Sequence, residues 1–78
     1  MIIIGAIYQD TSSPVKGEER FHGNIRVTRM DSHDVWFTWL HTGEEDGIIH
    51  QAFLPDGRFR LANLDNLVGA ELQKQVLL

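Results

Sequence analysis

Two histidines, His41 and His50, and the acidic triplet Glu44, Glu45 and Asp46 between them are the residues whose types and spacing come nearest to chemistry. If the two imidazoles face each other across a pair of strands, they could share a divalent metal, with a carboxylate reaching down from the loop. A zinc centre usually takes three or more well-placed protein ligands, and here the third would have to come from that loop. The pair therefore stands only as an alternative, a small metal-binding protein, and the expectation is no metal and no cofactor. His22 and His33 have no obvious companion, although Asp31 and Asp34 flank His33 and would raise its proton affinity.

Other catalytic patterns are weaker. Ser12 and Ser13 could be paired with a histidine, but nothing around them has the strand-turn-helix setting of a nucleophile elbow or an oxyanion loop. Hydrolysis by two carboxylates needs acids held at a fixed separation, one of them in an apolar pocket, whereas Glu44, Glu45 and Asp46 are adjacent and solvated. The glycines are scattered, with no following lysine at the spacing of a phosphate cradle. No cysteine is present, which removes disulfides, thiolate ligands and thiol nucleophiles together. The expectation is a protein that is not an enzyme.

The elements that must hold these residues read as β-structure. Val35-Trp36-Phe37-Thr38-Trp39-Leu40-His41 and Ile48-Ile49-His50-Gln51-Ala52-Phe53 are rich in β-branched and aromatic residues and flank the Gly-bounded acidic stretch Thr42 to Gly47, the pattern of an antiparallel hairpin. Ile2 to Tyr8 reads as a first strand, followed by a polar loop through Gly17. The alternation in Gly23 to Arg29 predicts a half-buried second strand. Asp31 to Asp34 and Leu54-Pro55-Asp56-Gly57 are turns, and Arg58 to Leu61 is a short last strand. From Asn63 the period changes: Leu64, Leu67, Val68, Leu72 and Val76 recur at helical steps, predicting an amphipathic helix over about 64–76 that seals the domain's own sheet or makes a dimer contact. One domain of 78 residues is expected, mostly β: a small SH3-like barrel over about 1–62, or a curled five-stranded antiparallel sheet, with a C-terminal helix.

A hairpin register with His41 opposite His50 pairs Trp39 with Ala52 and Phe37 with Leu54. Carried back through the Asp31 to Asp34 turn, it places Ile25, Val27, Trp36, Leu40, Ile49 and Phe53 on the core face. The opposite face then collects Arg26, Thr28, Phe37, Trp39, His41, His50 and Ala52. Large aromatics there are either covered by the C-terminal helix or belong to an exposed binding patch. In the second case Arg26, Phe37 and Trp39 anchor a partner, with Glu44, Glu45 and Asp46 beside them.

Composition narrows the partner. A core of this size gives roughly 3–5 kcal/mol of net stability, too little for a deep water-excluding site. The formal charge of −4 argues against sequence-independent binding to duplex DNA, and the seven basic residues form no block. The apolar opening Met1 to Ile7 has no basic residue before it and ends at Tyr8-Gln9-Asp10, too short for a signal peptide or a membrane span. No membrane is expected, and a cytoplasmic location fits the absence of cysteine.

The succession Gly5-Ala6-Ile7-Tyr8, Asn24 to Met30, Asp34-Val35-Trp36-Phe37 and Gly57 to Leu61 resembles the small SH3-like barrel proteins that bacteriophages and prophages encode beside early and regulatory genes. The resemblance implies a cytoplasmic protein acting by contact with another macromolecule, such as a host protein that it inhibits or redirects. Two functions lead. One is a non-enzymatic protein-interaction module, an acidic phage-type inhibitor or modulator presenting Glu44, Glu45 and Asp46 to a basic, nucleic-acid-handling host factor. The other is a barrel that binds single-stranded nucleic acid, with Trp39 and Phe37 stacking bases and Arg26, Arg29, Arg58 and Arg60 on phosphates. A homodimer is compatible with either.

Overall fold

The computed structural model describes residues 2–62; the expected C-terminal helix lies outside them. Five strands form one antiparallel sheet: β1 (Ile7–Asp10), β2 (Ile25–Met30), β3 (Asp34–Trp39), β4 (Glu45–Ile49) and β5 (Phe59–Leu61). Their order across the sheet is β4-β3-β2-β1-β5, a meander of three strands with the last strand returning beside the first. Single 3-10 turns at Glu19–Phe21 and His50–Phe53 interrupt the two longer connections. The mostly β expectation of a five-stranded antiparallel sheet holds.

The sheet curls. Phe37 on β3 and Phe59 on β5 are three strand spacings apart, which on a flat sheet would be roughly 14 Å. Their ring centroids are 5.6 Å apart, so the two ends bend toward each other around a shared core. Tyr8, Ile25, Val27, Val35, Phe37, Trp39 and Phe59 form that core, and Ile2, Ala6, Ile48, Ala52 and Phe53 pack on it. Edge-to-face contacts such as Phe37 on Trp39, with centroids 5.2 Å apart, fill the middle.

One extra residue in β2 decides which side chains enter this core. Met30 pairs with Val35 and Arg29 with Trp36, but Val27 pairs with Phe37 and Ile25 with Trp39, leaving Thr28 as a bulge whose Oγ1 donates to the Trp36 carbonyl. An unbroken ladder from the Asp31 turn would have put Ile25 and Val27 on the face of Trp36 and Leu40, as expected from the sequence. The bulge shifts the register by one, and a shift of one exchanges the faces. The core therefore takes Phe37, at 1 % exposure, and Trp39, at 2 %, while Trp36 turns to the outer face under the Arg29 guanidinium.

The hairpin register is corrected as well. Trp39 and Glu44 close a short loop, with Trp39 N–H donating to the Glu44 carbonyl and Gly43 N–H to the Trp39 carbonyl, and Gly43 takes the left-handed φ of 78° that this loop needs. Glu45 and Asp46 consequently begin β4 instead of sitting in a loop. Gly47, expected to bound the loop, is a strand residue opposite Trp36; a Cβ there would lie 2.9 Å from the indole. The ladder ends at Ile49, and His50 to Phe53 turn away as 3-10 structure where a continued strand was expected. β1 likewise starts only at Ile7, because Gly5 breaks the apolar opening at a φ of 88°.

Candidate functional site

The residues proposed from the sequence do not form one surface. Phe37 and Trp39 are core residues, so neither can anchor a partner or stack a base in this fold. Asp46 faces inward opposite Phe37; its Oδ2 accepts from Trp39 Nε1 at 3.1 Å, which fixes the indole, and its Oδ1 accepts from Gly47 N–H. Arg26 is half-buried on the outer face and donates to the Gly5 carbonyl at 3.0 Å, tying the amino-terminal segment to β2. Only Glu44 and Glu45 remain as exposed charges at the hairpin end.

The histidine pair is also separated. His41 follows β3 and meets the Glu19 carbonyl at 3.2 Å, whereas His50 follows β4 and meets the Asp31 carbonyl at 2.7 Å. The two lie at opposite ends of the β3–β4 ladder and are not cross-strand neighbours. A metal shared between them has no geometric basis. Among the described residues no three histidine, aspartate or glutamate side chains stand together as metal ligands.

The structure does bring together an ion pair that local sequence could not show. Asp10 closes β1 with its side chain fully buried, and Arg58, 48 positions later, meets it with two donors: Nε to Oδ1 at 3.1 Å and Nη2 to Oδ2 at 2.8 Å. Ser12 donates to the same carboxylate through its backbone N–H and its hydroxyl, at 2.9 and 2.6 Å, and Gly23 N–H adds a bond at 3.3 Å. Burial alone would push the Asp10 carboxyl up, but the bonds from Arg58, Ser12 and Gly23 outweigh it and hold the pKa at about 2. Arg58 also donates to the Phe21 carbonyl and lies over the rings of Phe59 and Trp39, 5.0 and 5.6 Å from their centroids. With the His22 ring at 2.7 Å from the Ser12 carbonyl, this clasp fixes both ends of the long β1–β2 loop to the start of β5. Its signal in the sequence was Asp10 two residues before Ser12, a side chain placed to accept from the backbone two residues on.

The surface most able to receive another molecule is apolar. Tyr8, Phe53, Leu54, Pro55, Phe59, Arg60 and Leu61 line one cleft of about 280 Å³. Ile2, Met30, His50, Phe53 and Leu54 line a second of about 360 Å³. Phe53 and Leu54 belong to both, so the two clefts adjoin at the second 3-10 turn and together form an apolar groove region beside it. Leu54 is 52 % and Leu61 57 % exposed, and Met30 is exposed at the other end. The groove exists because the chain leaves the ladder at His50: the 3-10 turn lifts Leu54 onto the surface, while Phe53 stacks on Phe59 beneath it with centroids 5.3 Å apart. Sequence reasoning missed these residues because it assigned Phe53 to the core of a continuing strand and Leu54 to a turn.

In comparisons with known proteins, no family model, no curated protein and no solved structure matches this chain. The class that fold and surface define is a small, curled antiparallel β-protein with an apolar groove at one end.

Proposed function

We propose that this chain is a non-enzymatic protein-interaction module. The observation that carries the reading is the pair of adjoining apolar clefts that share Phe53 and Leu54, with Leu54, Leu61 and Met30 left in water. Exposed apolar surface that follows a groove marks a contact for another macromolecule more often than a solvated face. The polar side chains agree with it: among the described residues every buried side-chain nitrogen and oxygen has a partner within the fold. The Asp10–Arg58 clasp, whose pKa shift in another setting would suggest chemistry, is explained by the loop it holds.

A finer reading follows from the charge. Glu44 and Glu45 stand free at the hairpin end of a chain with formal charge −4, and such a tip suits a basic protein surface. On this basis the module is an acidic, phage-type inhibitor or modulator of a host nucleic-acid-handling protein in the cytoplasm. No helix among the described residues is long and apolar enough to cross a membrane.

The test is affinity capture from lysate with three full-length baits: wild type, Leu54→Glu, and Glu44→Lys with Glu45→Lys. Both variants alter exposed side chains and should fold. A partner held by wild type and lost by at least one variant supports the reading. A partner retained equally by all three baits, or none held by any, would remove it.

A further inference from the structure

The chain has eleven acidic residues against seven basic ones, yet no carboxylate is among the described residues that line the groove. Arg60, beside Leu61, is the one Lys or Arg among the described residues that line it, and the His50 ring stands at the other end. Arg60 is exposed, and among the described residues its side chain makes no hydrogen bond or ion pair, unlike Arg58 and Arg26. The acidic side chains lie at the hairpin end, at Glu18 and Glu19 in the long loop, at Asp31 and Asp34 in the β2–β3 turn, where the Asp31 carbonyl meets the His50 ring, and at Asp56 in the turn after Pro55. Among the described residues the groove is thus an apolar surface of an acidic molecule with the Arg60 guanidinium at one end.

From this distribution we infer that the groove takes an apolar peptide segment of a partner protein flanked by a carboxylate, the aliphatic side chains seated over Phe53 and Leu54 and the carboxylate meeting the Arg60 guanidinium. The inference rests on the interaction-module reading and adds the chemistry of the partner. Leu54, Leu61 and Met30 supply surface whose removal from water drives association, at about 25 cal/mol per Å² of apolar area. Arg60 supplies direction. A guanidinium presents donors in a fixed fork that matches a carboxylate, so a peptide docked in the reverse sense, or carrying lysine at that end, would leave the cation unmatched.

Selection from a random displayed peptide library tests this, with the full-length wild type, Leu54→Glu, Arg60→Glu, and the Glu44→Lys, Glu45→Lys double variant as baits. The selected peptides are then resynthesised and titrated, alongside copies in which lysine replaces the flanking acid. The expected result is enrichment by wild type of aliphatic peptides bearing Asp or Glu at one end. Leu54→Glu should weaken these peptides tenfold or more, Arg60→Glu by about two- to fivefold, and the hairpin variant not at all. With Arg60→Glu the preference should turn toward the lysine copies, and the wild-type preference for acid should shrink as salt is raised.

Enrichment of peptides with no acidic flank, or with a basic one, overturns the inference. Peptides lost with the hairpin variant but not with Leu54→Glu also overturn it, while leaving the interaction-module reading intact. No enrichment with any bait, together with no partner captured from lysate, removes both. Two other occupants have their own signatures, and either overturns the inference. A second copy would show as a concentration-dependent dimer by sedimentation that Leu54→Glu abolishes. Occupation by residues 63–78 would show as peptide selection only after Leu67→Glu and Leu72→Glu are introduced.

Discussion

Replacing Asp10 by Asn should remove about half of the stability of this domain at neutral pH and almost none of it at pH 2. The carboxylate is buried, accepts two bonds from Arg58 and three more from Ser12 and Gly23, and has its pKa lowered from 3.8 to about 2. At roughly 1.4 kcal/mol per pH unit that difference corresponds to about 2.5 kcal/mol. Arg58 is 31 % exposed, so solvent screens part of the pair and about 2 kcal/mol is the better figure. For a domain of this length such a loss lowers Tm by about 8–16 °C. The sign with pH follows from linkage. The unfolded chain takes up the Asp10 proton below its ordinary pKa of 3.8, whereas the folded chain resists until about 2. The contribution is therefore complete above about pH 5 and disappears as pH falls from 4 toward 2. Asp31 is also held at about 2, by the backbone N–H groups of Asp34 and His33 and by Trp36 Nε1, and adds its own acid sensitivity. It is present in both proteins and cancels in the difference. Urea unfolding of wild type and Asp10→Asn at pH 7, 4, 3 and 2 reads the gap directly. A gap below about 0.5 kcal/mol at pH 7, or one that stays constant on acidification, would refute the assignment of Asp10 as a charged structural clasp.

Gly47→Ala should destabilise by about 1–3 kcal/mol, because the new methyl meets the Trp36 ring at 2.9 Å and the edge strand must move; thermal unfolding with indole fluorescence checks this. Trp39→Ala empties the centre of the core at a cost of about 3–5 kcal/mol, comparable to the whole stability, so circular dichroism should show loss of the fold and not a folded protein lacking a partner. Gly43→Ala forces a side chain into left-handed backbone and should cost about 1 kcal/mol, read as a lowered urea midpoint with unchanged slope. Glu44→Lys with Glu45→Lys should leave Tm within the range of ordinary surface changes, about 0.5 kcal/mol, while reducing association with any basic partner.

The fold class was legible in the sequence because it depends on local signals. Alternation in Ile25-Arg26-Val27, aromatic and β-branched residues from Val35 to Trp39, and Leu54-Pro55-Asp56-Gly57, closed by a Gly57 N–H to Leu54 carbonyl bond, are each settled within a few residues. The site was not legible, since it depends on register. Nothing local to Val27-Thr28-Arg29 announces an extra residue, yet that residue exchanges the faces of the whole β2–β3 ladder and turns Phe37 and Trp39 from candidate anchors into core. Gly43 and Gly47 are equal as letters; one is needed for its φ and the other because Trp36 lies against it, and only the paired strands distinguish them.

The sequence by itself therefore determined the mostly β class, the turns at Asp31 to Asp34 and Leu54 to Gly57, and the acidic balance, because propensity, period and charge are properties of short segments and of composition. Tertiary structure alone decided which aromatic rings are buried, that Asp10 finds Arg58, and that Leu54 is left exposed above Phe53. The first two outcomes are meetings of residues distant in the chain, the third depends on where the β3–β4 ladder ends, and the one-residue offsets that arrange them cost too little locally to leave a mark on the residues that make them.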